Sequence, residues 1–132
     1  MGTFNTIDDA REYFKNDKFC AEMGITIDEL GEKFCVCSLN IKENHRNAVG
    51  GIMGGVIFSL ADFAFSVASN HVHNVTVSLN ATIDYLSASK GERLTARAEC
   101  RKDGRTTCVY NVDITDEFGK DIAQFTGTGY KL

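Results

Sequence analysis

The chain contains no proline. Nothing in it can form a proline-rich linker, and no repeat or low-complexity run divides it. Its 132 residues read as one domain over residues 1–132. Cys-x-x-Cys pairs are also missing. The five cysteines (Cys20, Cys35, Cys37, Cys100, Cys108) are odd in number. That argues against a disulfide framework and fits reduced thiols in a cytoplasmic protein. Cys35 and Cys37 share one strand face with no third or fourth ligand in pattern, so neither a metal nor another cofactor is expected. Cationic excess is missing as well: 14 Lys and Arg face 18 Asp and Glu, a net charge of −4. A nucleic-acid partner is therefore not expected. Residues 1–14 are polar and mixed in charge, unlike a secretion signal. Ser59 lies in no Gly-x-Ser-x-Gly, which argues against a serine nucleophile.

One long apolar run is present, from Gly50 to Ser69. It approaches the roughly 20 residues that span a bilayer. It also carries small-xxx-small spacing at Gly50/Gly54 and Gly51/Gly55. Asp62 lies near its centre, and a charge there costs about 2.5–3.5 kcal/mol on insertion scales. The run is read as a core helix, with no membrane partner.

The remaining elements follow from periodicity. Thr6-x-x-Asp9 resembles a capping box, and the apolar spacing after it predicts a helix over about 7–16. Ile25 and Ile27 open a strand, and Asp28 to Glu32 reads as a turn. Alternation predicts further strands over about 35–41, 75–85, 94–101 and 108–114, and a last one over about 121–131. Asp103-Gly104 is a hairpin signal and Phe118-Gly119 a weaker turn. A loop covers about 42–53, and the apolar helix about 54–69. Strands of this length with one apolar face, and one apolar helix, predict an α+β fold. Its form is a long curved antiparallel sheet wrapped around a central helix.

The helix carries the chemistry. Gly55, Ser59, Asp62, Ser66 and Ser69 form one polar stripe, facing solvent, a cleft or a partner subunit. Gly54 and Gly55 allow close approach to the helix start, whose free N–H groups suit a developing oxyanion. Gly54 and Asp62 lie about 12 Å apart along a helix rising about 1.5 Å per residue. Reacting atoms must lie about 3 Å apart, so one chain hardly brings both to one carbonyl. Two antiparallel copies of the helix can, which predicts a two-fold dimer with shared sites.

The segment His45-x-Asn47-x-x-Gly50-x-x-Met53-Gly54-Gly55-x-x-x-x-Leu60-Ala61-Asp62 resembles hotdog-fold acyl-CoA thioesterases, of the phenylacetic-acid-degradation type. The resemblance extends through Arg101-Lys102-Asp103-Gly104-Arg105 and Asp116 to Lys120. It implies hydrolysis of an acyl-CoA, with Asp62 as base or nucleophile and the Gly54 N–H polarising the carbonyl. Gly55 would support the turn, and Asn47 would orient the thioester or water. Asn80, or Ser78 or Thr82 beside it, would sit near the acyl group. It further implies a homodimer as active unit, paired into a homotetramer. One position departs: the family's His before Gly-Gly is Met53 here. That change keeps a non-catalytic acyl-CoA-binding protein as the alternative. A dehydratase ranks below both, because no His stands beside Asp62.

His45 reads as a surface loop histidine, and His71 and His73 as cations at the helix C-terminus. Ser66, on the Asp62 stripe, and Met53 are candidate substrate contacts. Arg101, Lys102 and Arg105 are candidates for the phosphates of coenzyme A. Phe14, Phe19, Phe58, Phe63 and Phe65 divide between core and acyl pocket. An Asp62 carboxyl in apolar surroundings is expected to titrate high.

Overall fold

Thr6 caps the first helix: its hydroxyl accepts the Asp9 N–H at 3.1 Å. The structure, a computed structural model, describes residues 2–132. Helix α1 is Ile7–Tyr13, and a 3-10 turn, Phe14–Asn16, completes the predicted stretch. A second short helix follows that periodicity did not reveal, α2, Lys18–Met23. Asp17 caps its start, and Gly24 ends it at φ +91°, in the left-handed region that favours glycine.

Strand β1 is Thr26–Leu30 and β2 is Phe34–Asn40. The turn expected at Asp28 to Glu32 is corrected: Asp28 and Glu29 are strand, and the turn starts at Gly31. Charge is tolerated there because β1 is an edge strand with a bulge between Ile27 and Glu29. After the loop comes α3, Gly54–Val72, three residues longer than expected. Four long strands complete the chain: β3, Thr76–Tyr85; β4, Arg93–Asp103; β5, Thr107–Asp116; and β6, Asp121–Lys131.

The six strands form one antiparallel sheet in the order β1-β2-β4-β5-β6-β3. Its inner face alternates as the sequence predicts, presenting Leu39, Leu94, Ile114 and Phe125, each 1% exposed or less. Against them α3 packs Leu60, Phe65, Val67 and Ala68. Each fully buried large apolar side chain stabilises the fold by about 1.5–3 kcal/mol. The helix lies close because β6 is bare where it passes. A Cβ at Gly127 or Gly129 would stand 3.1 Å from the Phe65 ring. Among the described helices, α3 alone is long and apolar enough to cross a membrane. Its apolar face is spent on the sheet, with eleven of its residues buried.

Candidate active site

Residues 42–53 are ordered by their own hydrogen bonds. A 3-10 turn, Glu43–His45, starts the segment, and the Lys42 N–H donates to His45 Nδ1 at 3.1 Å. His45 is 4% exposed, which corrects the surface reading: the turn folds the ring inward. Burial, then the Lys42 charge, lowers its pKa, so the ring is neutral near pH 7. Asn47 Oδ1 accepts the N–H groups of Val49 and Gly51 at 3.1 and 3.0 Å. Gly50 turns the chain at φ +86°. Asn47 thus spends its side-chain oxygen on the loop, and its amide NH2 has no partner among the described residues.

The same loop sets the start of α3. The Met53 N–H donates to the His45 carbonyl at 2.9 Å, and the Met53 carbonyl accepts from Val56 at 3.0 Å. Met53 is the N-cap, but a thioether cannot serve as Ser or Asp would, and no side chain caps the helix. The N–H groups of Gly54 and Gly55 therefore have no acceptor among the described residues. They sit at the positive end of the helix dipole.

Two cavities meet here. The larger, about 680 Å³, is lined by Met53, Gly55, Phe58 and Ser59 of α3 and its cap, by His45, and by Phe19 and Met23 of α2. The smaller, about 470 Å³, is lined by Asn47, Gly54, Ile57 and the segment 86–89. Tyr85, at the end of β3, borders both. Its hydroxyl donates to the Gly54 carbonyl at 3.0 Å, and a Cβ on Gly54 would come within 3.2 Å of Tyr85 Oη. The alternation of β3 marked Tyr85 as strand but not as a wall of the site. The α2 contribution was equally hidden, because that helix was not foreseen.

Asp62 lies two turns along α3, half-buried, and borders neither cavity. Its carboxylate has no hydrogen-bond donor among the described residues. Burial raises its pKa above the ordinary carboxylate value, and the Asp17 carboxylate adds to the effect. The same surroundings push the Cys20 thiol up to about 12, chiefly by burial, which leaves it an un-ionised, poor nucleophile. Ser66, half-buried one turn beyond Asp62, keeps to the same side of the helix. The polar stripe ends there, because Ser69 is fully buried. The N-terminal segment is bonded to the next residue, the Thr3 N–H donating to the Asn70 carbonyl at 2.8 Å.

Other predicted residues lie apart. Asn80 is exposed on the edge strand β3, at a bulge, and borders neither cavity. Arg101, Lys102 and Arg105 are exposed around the β4–β5 turn, at the far end of α3 from Gly54. The contact between Asp103 and His73, the C-cap of α3, fixes that placement at 3.4 Å. His73 is buried, and burial lowers its pKa, so it is not the cation expected at the helix end. Within one chain, the structure brings Gly54, Gly55, Asn47 and Met53 together. It leaves Asp62 and the three cations outside that group. No cluster of three metal-ligating side chains occurs among the described residues.

Comparison with known proteins gives one direction. The thioesterase superfamily profile matches residues 49–123. The chain is 33% identical to the acyl-coenzyme A thioesterase PaaI of Escherichia coli over 124 residues, covering 93% of this chain and 89% of that protein. The solved E. coli PaaI structure superposes with a TM-score of 0.89 at 32% identity, covering 95% of this chain and 91% of that one. A hypothetical thioesterase protein from Streptococcus pneumoniae TIGR4, solved with coenzyme A, superposes with a TM-score of 0.83 at 28% identity, covering 90% of this chain and 96% of that one.

Proposed function

The chain belongs to the thioesterase superfamily and has its hotdog fold, and on that premise we propose that it hydrolyses acyl-coenzyme A to the free acid and coenzyme A. It is a thioester hydrolase; the acyl-CoA class and the roles below are the proposed refinement. The observation that carries the reading is the pair of unpartnered N–H groups at the uncapped start of α3, opening between two cavities. The carbonyl oxygen of the thioester sits on the Gly54 N–H, with Gly55 keeping the turn open. As charge builds on that oxygen, a fixed donor at a helix start stabilises it more than it stabilised the neutral carbonyl.

Asp62 supplies the other half of the reaction. As a base, it takes a proton from water while the water oxygen bonds to the carbonyl carbon. The intermediate then collapses, the carbon–sulfur bond breaks, and the coenzyme A thiolate takes up the proton. As a nucleophile, its own oxygen bonds to the carbon first, the carbon–sulfur bond breaks to release the coenzyme A thiolate, and water hydrolyses the resulting anhydride, giving the free acid and a proton for the thiolate. Solvent oxygen-18 enters the Asp62 carboxylate in a single turnover only in the second case.

Because Asp62 is remote from Gly54 in its own chain, the active unit is a two-fold dimer with antiparallel α3 helices, each site drawing Asp62 from the partner. The free edge of β3, with Val77 and Leu79 exposed, supports such pairing. The same pairing carries the β4–β5 turn of one chain towards the α3 start of the other. There Arg101, Lys102 and Arg105 hold the phosphates of coenzyme A. Dimers pair into a tetramer. The unpaired thiols support a reducing, cytoplasmic setting.

The test is thiol release from acetyl-, hexanoyl-, palmitoyl- and benzoyl-coenzyme A, with the natural chain and with Asp62→Asn. Turnover that Asp62→Asn abolishes is the expected result. Binding without turnover by the natural chain on every thioester would overturn the reading in favour of a binding protein.

A further inference from the structure

The larger cavity has polar side chains in its wall, and both of its hydroxyl hydrogens are already committed. The Ser59 hydroxyl donates to the Gly55 carbonyl at 2.7 Å and the Tyr85 hydroxyl to the Gly54 carbonyl at 3.0 Å. Glu22, when ionised, only accepts. Asn44, in the 3-10 turn, is exposed, and its amide hydrogens have no partner among the described residues. Met53, at the lip, has no donor on its side chain. His45 differs from all of these in being buried while lining the same cavity.

The ring of His45 has a defined proton. A backbone N–H can only donate, so the Lys42 N–H fixes Nδ1 as an acceptor. A neutral ring then carries its hydrogen on Nε2. Among the described residues Nε2 has no partner. Among the described residues, the polar side-chain atoms that are both sealed from solvent and unpartnered are His73 Nε2 and Tyr110 Oη. His45 Nε2 is neither of these, and the residue borders the cavity. The residue is also tied to the helix start, because its carbonyl holds the Met53 N–H. A donor fixed at both ends of its residue needs no reorganisation when a ligand arrives.

We propose that His45 is a further catalytic residue, whose Nε2–H donates to the thioester carbonyl beside the free amides of the α3 start. This rests on the thioesterase reading above. A carbonyl oxygen has two lone pairs. The Gly54 N–H takes one and the imidazole takes the other, so the donor missing from Met53 is supplied from eight residues upstream in the chain. The ring stays neutral throughout and hands over no proton.

Two substitutions separate this role from loop support. In His45→Asn the side-chain oxygen takes the place of Nδ1 and keeps the Lys42 bond, but nothing reaches the Nε2 position. In His45→Gln the amide nitrogen takes the place of Nε2 and restores the donor. Both are assayed on the best of the four thioesters, beside the natural chain and Asp62→Asn, with melting temperatures as a check on folding. His45→Asn is expected to lose about tenfold to a hundredfold in kcat with KM within about threefold, and His45→Gln to recover most of it. An Asn variant within twofold of the natural kcat overturns the proposal, as does equal impairment of Asn and Gln. Affinity is measured in parallel, using the ketone analogue of hexanoyl-coenzyme A with a methylene between sulfur and carbonyl. If the natural chain turns over no thioester, the functional reading fails, and the His45 contact is still decided: the proposal stands if His45→Asn weakens the analogue about twofold to threefold and His45→Gln restores it, and an unchanged Kd in His45→Asn overturns it.

Discussion

The Tyr85 hydroxyl and the Gly54 carbonyl, 31 residues apart in the chain, are joined by a hydrogen bond of 3.0 Å. The bond pins the end of β3 across the start of α3 and makes the Tyr85 ring the partition between the two cavities. Tyr85→Phe removes the bond and keeps the partition. It is expected to cost about 1 kcal/mol of stability, with little change in substrate range. Tyr85→Ala removes the partition and is expected to shift the ranking of acyl-CoAs towards longer or bulkier groups. Thermal unfolding and kcat/KM across the thioester panel read the two effects separately.

Gly54 allows a sharper test, because it is the first residue of α3 after the Met53 cap. Proline is well tolerated at that position, and it lacks only the N–H. The residue before a proline prefers extended backbone, and Met53 already has φ −63° and ψ 134°. Gly54→Pro should therefore fold and lose about 100- to 1,000-fold in kcat. Gly54→Ala is the control, since it adds the Cβ that meets Tyr85 Oη at 3.2 Å but keeps the donor. Tyr85 is half-exposed and can give way, so the alanine variant should lose far less. Equal losses in both variants would mean that the Tyr85 contact, and not the N–H, is what matters.

The backbone part of this site is legible in sequence because it is local. Gly50, Gly54 and Gly55 mark a turn and an open helix start whatever packs around them. The long strands are legible for the same reason, since alternation such as Leu94, Ala96 and Ala98 records a buried face residue by residue. What stayed hidden is tertiary. His45 is buried only because a 3-10 turn folds it under Met53. Tyr85 reaches Gly54 only because β3 pairs with β6 and ends beside the helix start. Helix α2 has six residues and little amphipathic pattern, so only its caps, Asp17 and Gly24, could have betrayed it. Asp28 and Glu29 read as turn because an edge strand tolerates charge that a central strand excludes.

Asp62 couples activity to stability through its raised pKa. For a carboxyl whose folded pKa exceeds its unfolded value, folding favours the protonated form. The stabilising contribution is then complete below the unfolded value and is lost as pH rises through the folded one. At pH 7 the ionised Asp62 works against the fold. Asp62→Asn should abolish turnover yet raise the melting temperature at pH 7, with the gain fading as pH falls towards the ordinary value of 3.8. The natural enzyme should lose kcat on the acid side above that same value. Differential scanning calorimetry and a pH–rate profile check the two halves independently. A variant no more stable than the natural chain at pH 7 would refute the coupling.

Arg105 tests how coenzyme A is held. It is exposed beside the β4–β5 turn, remote from the α3 start of its own chain. If it meets the phosphates across the dimer, Arg105→Glu should raise KM for an acyl-CoA severalfold with kcat nearly unchanged. The effect should be larger at low ionic strength, because solvent-exposed charges are screened by salt. The short N-acetylcysteamine thioester of the same acid carries no phosphates and should show no difference between the variant and the natural chain. An unchanged KM for the coenzyme A ester removes Arg105 from the site.

The shared site itself is tested by complementation. Gly54→Pro and Asp62→Asn are each expected to be inactive as pure proteins. In a dimer formed from one of each, the two defects fall into the same site if Gly54 acts with Asp62 of the opposite chain. The other site then has natural residues at both positions. Random pairing places half the chains in mixed dimers, so a co-expressed, co-purified mixture should recover about a quarter of the natural activity. If instead each chain supplied both residues to its own site, every site would carry one defect and mixing would recover nothing. Dimers with Gly54→Pro and Asp62→Asn in one chain and natural residues in the other sharpen the contrast. A shared site then has one defect in each place and the dimer is inactive, whereas a self-contained site leaves half the activity.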